Sequence, residues 1–280
     1  MNIEKAITEA TQKLILKKIK SPKLDSEILM SKVIKKDRKF IILNSQKKIQ
    51  KDRLNCFKKL INQRSLGKPV AYIVGWKNFW NNKFKINDHV LIPRPDTEIV
   101  IEEVLKLTRN KSKLKILDIG VGSGCILLSI LNEKKDFYGV GIDKSRECIY
   151  LSKTNALNIG IKERVKFFKT DVDNFSYGKY DLIISNPPYI SRSNLKYLDK
   201  EVVNFEPRLA LDGGLDGLSE IRKVISKSSK LIKKKGRLVL EIGFNQKDKV
   251  KKILNNNGFY INKVLKDYAN NNRCIVSTKN

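Results

Sequence analysis

The sequence has few residues with which to hold a metal ion. Its 280 residues include a single histidine, His89, and four cysteines that are never arranged as Cys-x-x-Cys. Structural zinc sites need four nitrogen or sulfur ligands at characteristic spacings, and a Ser-His-Asp triad needs a histidine beside its nucleophile. The composition therefore predicts no metal site and argues against a histidine-based triad. Scattered cysteines are typical of reduced thiols, so a cytoplasmic location is expected.

Long apolar runs are also missing. No stretch reaches the roughly 20 residues that a helix needs to cross a bilayer. The first residues, Met1 to Lys5, lack the apolar core of a signal peptide. We therefore expect a protein with no membrane partner. Its hydrophobic fraction of 41% is that of a globular protein, and the chain is long enough for two domains.

Acidic side chains are scarce compared with basic ones. The chain has 29 aspartates and glutamates against 58 lysines and arginines, a formal net charge of +29. Such a charge is typical of proteins that bind nucleic acid. Lysine, asparagine and isoleucine are all abundant, however, and the lysines are spread along the chain, as expected if genome base composition drives residue choice. Both interpretations stay open, and the functional one predicts attraction to an acidic partner such as the ribosome.

The residue pattern divides the chain into three parts. In residues 1–75 apolar side chains recur at helical spacing, which predicts a helical domain that either packs or, as we favour, grips a macromolecular substrate. Residues 76–92 alternate aromatic and polar side chains, which predicts a linking β-hairpin with its turn at Asn81 and Asn82. In residues 93–280 strands alternate with helices, which predicts a mostly parallel sheet and an α/β fold class.

A glycine-rich turn follows the first strand of the α/β part. Leu114 to Leu117 predict an apolar strand, and an apolar helix follows the turn. This arrangement is typical of a nucleotide-binding unit, although Gly-x-Gly-x-Gly differs from the dinucleotide fingerprint. The next strand ends in Asp143, where a carboxylate can accept hydrogen bonds from two ribose hydroxyls. The turn itself consists of Gly120, Val121, Gly122, Ser123 and Gly124.

A second candidate site follows a later strand. The apolar run from Leu182 is stopped by Asn186, Pro187, Pro188 and Tyr189. Neither proline has an N–H, and Pro188 restricts Pro187 to extended backbone, so the turn is stiff. The Asn186 amide oxygen and the Pro187 carbonyl are acceptors beside an aromatic ring, which suits a planar NH₂ group. The pattern predicts a pocket for an amide or aromatic amine; the alternative is a strand-ending turn without chemistry.

Together, the two motifs indicate an S-adenosylmethionine-dependent methyltransferase that acts on nitrogen. A third strand ends near Asp171, and such an aspartate often bonds the adenine amine in this architecture; a surface turn is an equal alternative. The run from Pro93 to Glu98 precedes a helix and forms either plain helix capping or a wall of the cofactor site. Residues 190–217 are long for a connection, so we expect a lid over the substrate.

With these motifs assembled, the chain resembles the release factor glutamine methyltransferases, the PrmC/HemK family, nearly end to end. Asn-Pro-Pro-Tyr also occurs in DNA adenine and ribosomal RNA guanine methyltransferases, whereas Pro-Arg-Pro-Asp-Thr-Glu and the helical domain are more specific. The segments that carry the resemblance are Gly67-Lys68-Pro69-Val70-Ala71-Tyr72-Ile73-Val74-Gly75, Leu91-Ile92-Pro93-Arg94-Pro95-Asp96-Thr97-Glu98, Asp118-Ile119-Gly120-Val121-Gly122-Ser123-Gly124, Asn186-Pro187-Pro188-Tyr189-Ile190, Phe205-Glu206-Pro207 and Asp212-Gly213-Gly214-Leu215-Asp216-Gly217.

The resemblance implies a fold and a reaction. The fold is a seven-stranded Rossmann-like methyltransferase sheet whose last strand is antiparallel, with an N-terminal helical domain. The reaction is methylation of the side-chain nitrogen of the glutamine in the Gly-Gly-Gln motif of class 1 peptide chain release factors. S-adenosylmethionine would be the cofactor, and we expect a monomer. The alternatives are a DNA or ribosomal RNA exocyclic-amine methyltransferase, and an inactive binding module with the same fold.

The resemblance also assigns roles by position. Asn186, Pro187 and Tyr189 would be catalytic, with the first two accepting the amide N–H bonds and the ring packing on the flat amide. Pro188 would join them in binding the glutamine. One departure is Val172, where the family often has an aromatic residue, so adenine stacking is expected to be weaker or supplied from elsewhere. The cofactor would be bound by Gly120, Val121, Gly122, Ser123, Gly124, Asp143, Asp171, Val172 and Asn186.

Overall fold

The computed structural model describes residues 1–280, which form two compact units. The helical unit consists of Met1–Trp76 together with Asp199–Phe205, and the sheet unit consists of Lys77–Leu198 and Glu206–Asn280. A segment from the second half of the chain therefore belongs to the helical unit. Its seven residues lie inside the connection 190–217, where the sequence pattern predicts only a lid.

The secondary structure follows in chain order. The helices are α1 Ile3–Leu16, α2 Pro22–Ile34, α3 Arg38–Leu43, α4 Lys51–Ser65, α5 Val70–Val74, α6 Glu98–Leu107, α7 Cys125–Glu133, α8 Arg146–Ile159, α9 Lys200–Phe205, α10 Ser219–Leu231 and α11 Lys247–Asn256. The strands are β1 Trp76–Phe79, β2 Asn82–Lys85, β3 Lys115–Ile119, β4 Tyr138–Asp143, β5 Val165–Lys169, β6 Tyr180–Ser185, β7 Ile232–Glu241, β8 Phe259–Lys266 and β9 Asn272–Lys279.

The helical unit packs its helices around an apolar core that includes Leu14, Leu29 and Phe57. Two short helices, α3 and α5, are not predicted from the sequence. Six and five residues are too few to show a clear helical period, so their signal lies in their ends. The Asp37 side chain accepts from the Phe40 N–H at 2.8 Å and begins α3, and Gly75 ends α5 with φ of +83°.

The predicted hairpin is correct in kind but wrong in extent. Strands β1 and β2 form a two-stranded sheet whose turn lies at Trp80 and Asn81, because Asn82 already begins β2. Trp80 has φ of +51°, so an aromatic residue takes the left-handed position of this turn. Pairing ends at Lys85 instead of residue 92. The Asn155 side chain satisfies the Lys85 backbone there, accepting from its N–H at 2.8 Å and donating to its carbonyl at 3.0 Å.

The sheet unit contains a seven-stranded sheet in the order β5-β4-β3-β6-β7-β9-β8. Strands β3 to β7 are parallel to one another, whereas β9 runs antiparallel to both β7 and β8. The predicted α/β fold with an antiparallel last strand is therefore confirmed. Apolar residues of α6, α7 and α8 pack on one face, and those of α10 and α11 pack on the other. Two covered faces explain why the central strands read as continuous apolar runs.

The topology places the candidate residues at one edge. Because β3, β4, β6 and β7 are parallel, their carboxyl ends at Ile119, Asp143, Ser185 and Glu241 meet on the same side of the sheet. The strand order changes direction at β3, where β4 lies on one side and β6 on the other. Ligands of open α/β sheets bind at such a point. None of the helices combines the length and apolar character that a membrane span requires.

Candidate active site

A cavity of about 290 Å³ lies at the carboxyl ends of β3, β4 and β6. Both sequence motifs open on it, which brings together residues separated by more than sixty positions in the chain. The predicted site residues among its lining are Gly120, Val121, Gly122, Ser123, Asp143, Asp171, Val172, Asn186, Pro187 and Pro188. The two predicted site residues outside that lining are Gly124 and Tyr189.

The glycine-rich turn is held against the end of β4. The N–H groups of Gly120 and Val121 both donate to the Ile142 carbonyl at 2.9 Å. Gly120 has φ of +78°, and a Cβ at this position would meet nothing within 4 Å. The turn therefore presents bare backbone to open space at Gly120, which is what close approach of a ligand requires.

Gly124 packs against its own helix and lies outside the cavity lining. It precedes the first residue of α7 with φ of +82°, and a Cβ there would lie 2.8 Å from Cδ1 of Leu128. The residue is needed for close packing between the turn and its own helix. Helix packing is one of the roles of glycines in nucleotide-binding turns, and the assignment of Gly124 to the cofactor stays a prediction.

Asp143 links the turn to the following helix. One carboxylate oxygen accepts from the Gly122 N–H at 3.0 Å and the other from the Ser145 N–H at 2.9 Å. Burial raises the pKa of Asp143, and these two backbone donors oppose the rise. Each oxygen keeps a lone pair, so the carboxylate can still accept hydrogen bonds from a ligand with two hydroxyl groups.

At the other motif, Asn186 is oriented by a side chain from before α6. Its Nδ2 donates to Oγ1 of Thr97 at 3.3 Å, and Thr97 is also part of the cavity wall. The run from Pro93 to Glu98 therefore serves both interpretations left open by the sequence: Glu98 begins α6, while Pro93 and Arg94 line the cavity.

The ring of Tyr189 lies behind the cavity wall. It packs against the apolar core beneath the sheet, and its hydroxyl donates to Oε1 of Glu241 at 3.2 Å. Arg273 donates to the same hydroxyl from Nη1 at 3.3 Å. Tyr189 is not among the residues that line the cavity, so the expectation that its ring packs on a substrate amide stays a prediction.

Comparison with known proteins agrees with both motifs and with the helical unit. Residues 5–75 match the PrmC N-terminal domain and residues 97–216 match the methyltransferase small domain. A release factor glutamine methyltransferase of Buchnera aphidicola subsp. Baizongia pistaciae is 38% identical over 284 residues, which cover 100% of each chain. The chain belongs to the release factor glutamine methyltransferase family.

Two further comparisons concern the length of related proteins and the fold of the chain. A bifunctional methyltransferase of Rickettsia felis is 33% identical over 98% of this chain, which spans only 58% of that longer protein. A solved methyltransferase from Pyrococcus furiosus superposes with a TM-score of 0.53 at 16% identity, covering 70% of this chain and 88% of that one. At such low identity the second likeness shows the shared fold alone.

In this family member the wall near Val172 is completed by residues that the sequence pattern does not indicate. Val224 of α10 and Leu209 line the cavity together with Val172 and Asp171. Asp171 also accepts from the Asp173 N–H at 3.0 Å, so it both orders its own turn and faces the cavity. Val224 therefore contributes apolar wall beside Val172, where an aromatic residue is absent, and Leu209 contributes apolar wall to the same cavity.

Glu206 is a further residue of the site, and it lies in the quoted Phe205-Glu206-Pro207 motif. It forms an ion pair with Arg94, and its Oε2 accepts from the Ile92 N–H at 3.3 Å. Its side chain is 2% exposed, whereas that of Arg94 is 39% exposed. The buried carboxylate thus fixes the loop before α6, and the motif spacing alone does not reveal this pairing across more than 110 residues.

Asp118 is a buried acid that the sequence pattern marks only as part of the turn. Both of its carboxyl oxygens are buried and lack a hydrogen-bond partner. Burial, assisted by the nearby Asp143, raises its pKa to about 8. No group of three or more histidine, cysteine, aspartate or glutamate side chains is placed to hold a metal ion.

Proposed function

We propose that this chain methylates the side-chain amide nitrogen of the glutamine in the Gly-Gly-Gln motif of peptide chain release factors, with S-adenosylmethionine as methyl donor. The observation that carries the proposal is that the Asn-Pro-Pro corner and the glycine turn open on one cavity. Similarity over the full length to a relative named release factor glutamine methyltransferase supports the substrate.

Two features of the cavity fit S-adenosylmethionine. Gly120 leaves open space for a ligand against the backbone, and Asp143 keeps acceptor capacity for two ribose hydroxyls. We assign the turn and Asp143 to the cofactor, with Asp171 and Val172 at its adenine end. When bound, the cofactor supplies an electrophilic methyl group on a sulfonium sulfur.

The corner residues would hold the acceptor nitrogen. An amide nitrogen is a poor nucleophile because its lone pair is delocalised into the carbonyl, and no side chain can deprotonate it at neutral pH. Asn186 and the Pro187 carbonyl would accept its two N–H bonds and direct the lone pair towards the methyl group. These hydrogens become more acidic as the nitrogen forms its new bond, so the same hydrogen bonds strengthen in the transition state.

The helical unit is assigned to binding of the release factor. It contains no candidate catalytic residue, and a small-molecule enzyme needs no such extension. The segment Asp199–Phe205 joins this unit and is followed directly by Glu206, which holds Arg94 at the cavity. We further propose that the enzyme acts as a monomer in the cytoplasm, and that its positive charge favours encounters near the ribosome.

In the test, the enzyme and labelled S-adenosylmethionine are incubated with release factor, ribosomal RNA or DNA in separate reactions. We expect label on the release factor, and none when the glutamine of its Gly-Gly-Gln motif is replaced by alanine. Label on nucleic acid, falling steeply with salt, would instead support an exocyclic-amine methyltransferase. Absence of transfer to all three would contradict the proposal.

A further inference from the structure

Beneath the Asn-Pro-Pro-Tyr corner lies a row of hydrogen-bonding side chains that do not hold the substrate themselves. Nδ2 of Asn186 donates to Thr97, the Tyr189 hydroxyl donates to Glu241, and Arg273 donates to that hydroxyl. Thr97 and Glu241 are each 3% exposed. Because Thr97 and Glu241 are buried, the hydrogen bonds that each of them makes limit the proton positions of its neighbours.

The Glu241 carboxylate determines which groups in this row donate hydrogen bonds and which accept them. Oε1 of Glu241 accepts from Tyr189, whereas Oε2 is buried and has no donor at ordinary hydrogen-bond distance. Thr97 lowers the pKa of Glu241, which is the effect of a hydroxyl that turns its proton towards a carboxylate. A carboxylate only accepts hydrogen bonds, and a hydroxyl has one proton to give. If the Thr97 hydroxyl donates its proton to Glu241, it can only accept in its hydrogen bond with Asn186.

We propose that Thr97 and Glu241 are positioning residues that fix the orientation of the Asn186 amide. A primary amide can turn by half a rotation with little change of shape, exchanging its oxygen and its nitrogen. With Nδ2 given to Thr97, Oδ1 is the group left for a ligand at the cavity. Only Oδ1 can accept from an incoming NH₂, so this inference rests on the proposed function.

Glu241 holds the other end of the corner as well. Its Oε1 accepts a hydrogen bond from the Tyr189 hydroxyl, and Nε2 of Gln246 donates to the Tyr189 backbone carbonyl at 2.9 Å. The backbone from Asn186 to Tyr189 is thus anchored at both ends, at one end through Thr97 and at the other through Glu241. This explains how Tyr189 serves the site although its ring does not line the cavity.

The ionised form of Glu241 is the one that orders the row. Burial raises its pKa to about 7, against the lowering effects of Thr97, Arg273 and Tyr189. A protonated carboxyl would gain an O–H that can donate to Thr97, which frees the threonine proton to turn towards Asn186. The charged or titratable groups that interact with Glu241 are Asp96, Cys125, Tyr189, Arg273 and Cys274.

The first test compares turnover in four variants. Glu241→Gln and Thr97→Val are expected to lower kcat about 10- to 100-fold, with the KM for S-adenosylmethionine within about twofold of wild type. Thr97→Ser keeps the hydroxyl and should restore most of kcat. Glu103→Gln changes another buried carboxylate, paired with Lys263, and serves as the matched control with wild-type kcat. Equal kcat in Thr97→Val and Thr97→Ser would overturn the inference.

The pH profile gives a second readout that a merely structural role would not move. For wild type, kcat/KM should be high above about pH 7 and fall as the pH drops through that value, because the protonated carboxyl loses its ordering role. The side chain in Glu241→Gln cannot titrate, so its kcat/KM should not show this fall at acid pH. A variant with an unchanged acid limb would contradict the assignment of Glu241.

The third readout needs no substrate. The carboxyl carbon of Glu241, identified in ¹³C spectra by its loss in Glu241→Gln, should titrate near pH 7 and at higher pH in Thr97→Val, which loses a donor. If Thr97→Val does not fold, Tyr189→Phe removes the other donor and should shift the titration the same way. No shift overturns the inference. A shift without methyl transfer by wild type would instead count against the proposed function alone.

Discussion

At the scale of single residues, the proposed function assigns Asn186 to the substrate and Asp143 to the cofactor. Asn186 presents one acceptor to the cavity, whereas Asp143 is occupied by the backbone of the glycine turn and the next helix. Both residues line the same cavity, so loss of either should lower activity. The kinetic parameter that changes distinguishes their roles.

For Asn186→Ala we expect kcat to fall about 10²- to 10³-fold, because a hydrogen bond that strengthens in the transition state is lost. Binding of S-adenosylhomocysteine, measured by calorimetry, should change little. Asp143→Ala is the matched contrast and should weaken that binding while its kcat at saturation falls less. Near-normal turnover of Asn186→Ala would remove the residue from the mechanism.

Asp118 predicts an unusual pH dependence of stability. Its pKa is raised to about 8 in the folded protein, so between its ordinary value and about 8 the folded state binds the proton more tightly than the unfolded chain. Its contribution to stability therefore falls as pH rises through this window. Asp118→Asn cannot ionise, so its Tm relative to wild type should increase with pH and level off above about 8. A difference that does not vary with pH would contradict this assignment.

At the scale of elements, the strand–turn–helix β3-turn-α7 combines two kinds of glycine. Gly120 faces open space, and Gly124 packs against Leu128, although both have φ near +80°. The spacing of the glycines indicates the turn, but only the neighbours of each residue decide which glycine a ligand approaches.

This difference predicts that the same substitution changes a different property at each position: stability at Gly124 and ligand binding at Gly120. Gly124→Ala should lower stability by more than about 1 kcal/mol, because φ is positive and the new methyl group would meet Leu128. Gly120→Ala meets nothing and should cost less stability, yet weaken binding of S-adenosylhomocysteine because it projects into the cavity. Chemical denaturation and calorimetry on both variants check the pair; identical profiles would show that the two glycines share one role.

At the scale of the whole molecule, the chain divides into units that do not follow its order. Residues 199–205 belong to the helical unit because buried Arg64 pairs with Glu201 at 2.7 Å as well as with Asp25 at 2.6 Å. Arg64 also donates to the Lys68 carbonyl at 3.1 Å. One guanidinium thus joins α2, α4 and the distant segment that contains α9.

Removing that guanidinium should destabilise the helical unit. Arg64→Ala leaves the Asp25 carboxyl buried without its cation, and breaking such a pair costs about 3–5 kcal/mol. Lys20→Ala breaks the pair with Asp199, in which both side chains are exposed, and should cost far less because water can solvate the remaining carboxylate. Chemical denaturation measures both, and faster hydrogen exchange in α2, α4 and α9 would locate the effect. Equal losses would refute the central role of Arg64.

The sequence by itself determined the order and type of the long elements, since apolar periodicity and glycine turns are local signals. It also determined that the two motifs belong at strand ends, and the parallel topology then brings them to one edge of the sheet. The ends of the hairpin and the short helices α3 and α5 could not be predicted from the sequence, because they depend on single side chains such as Asp37 and Asn155.

Only the tertiary structure decided which distant side chains complete the site. Thr97 and Glu206 lie in segments that the resemblance singles out, whereas Glu241 lies in none, but the sequence does not show which partners any of the three meets. Their roles arise from burial, because a buried carboxylate must find its donors across the fold wherever these lie in the sequence. Tyr189 shows the same limit: its place in the motif is evident, but the direction of its ring is set by Glu241 and Arg273.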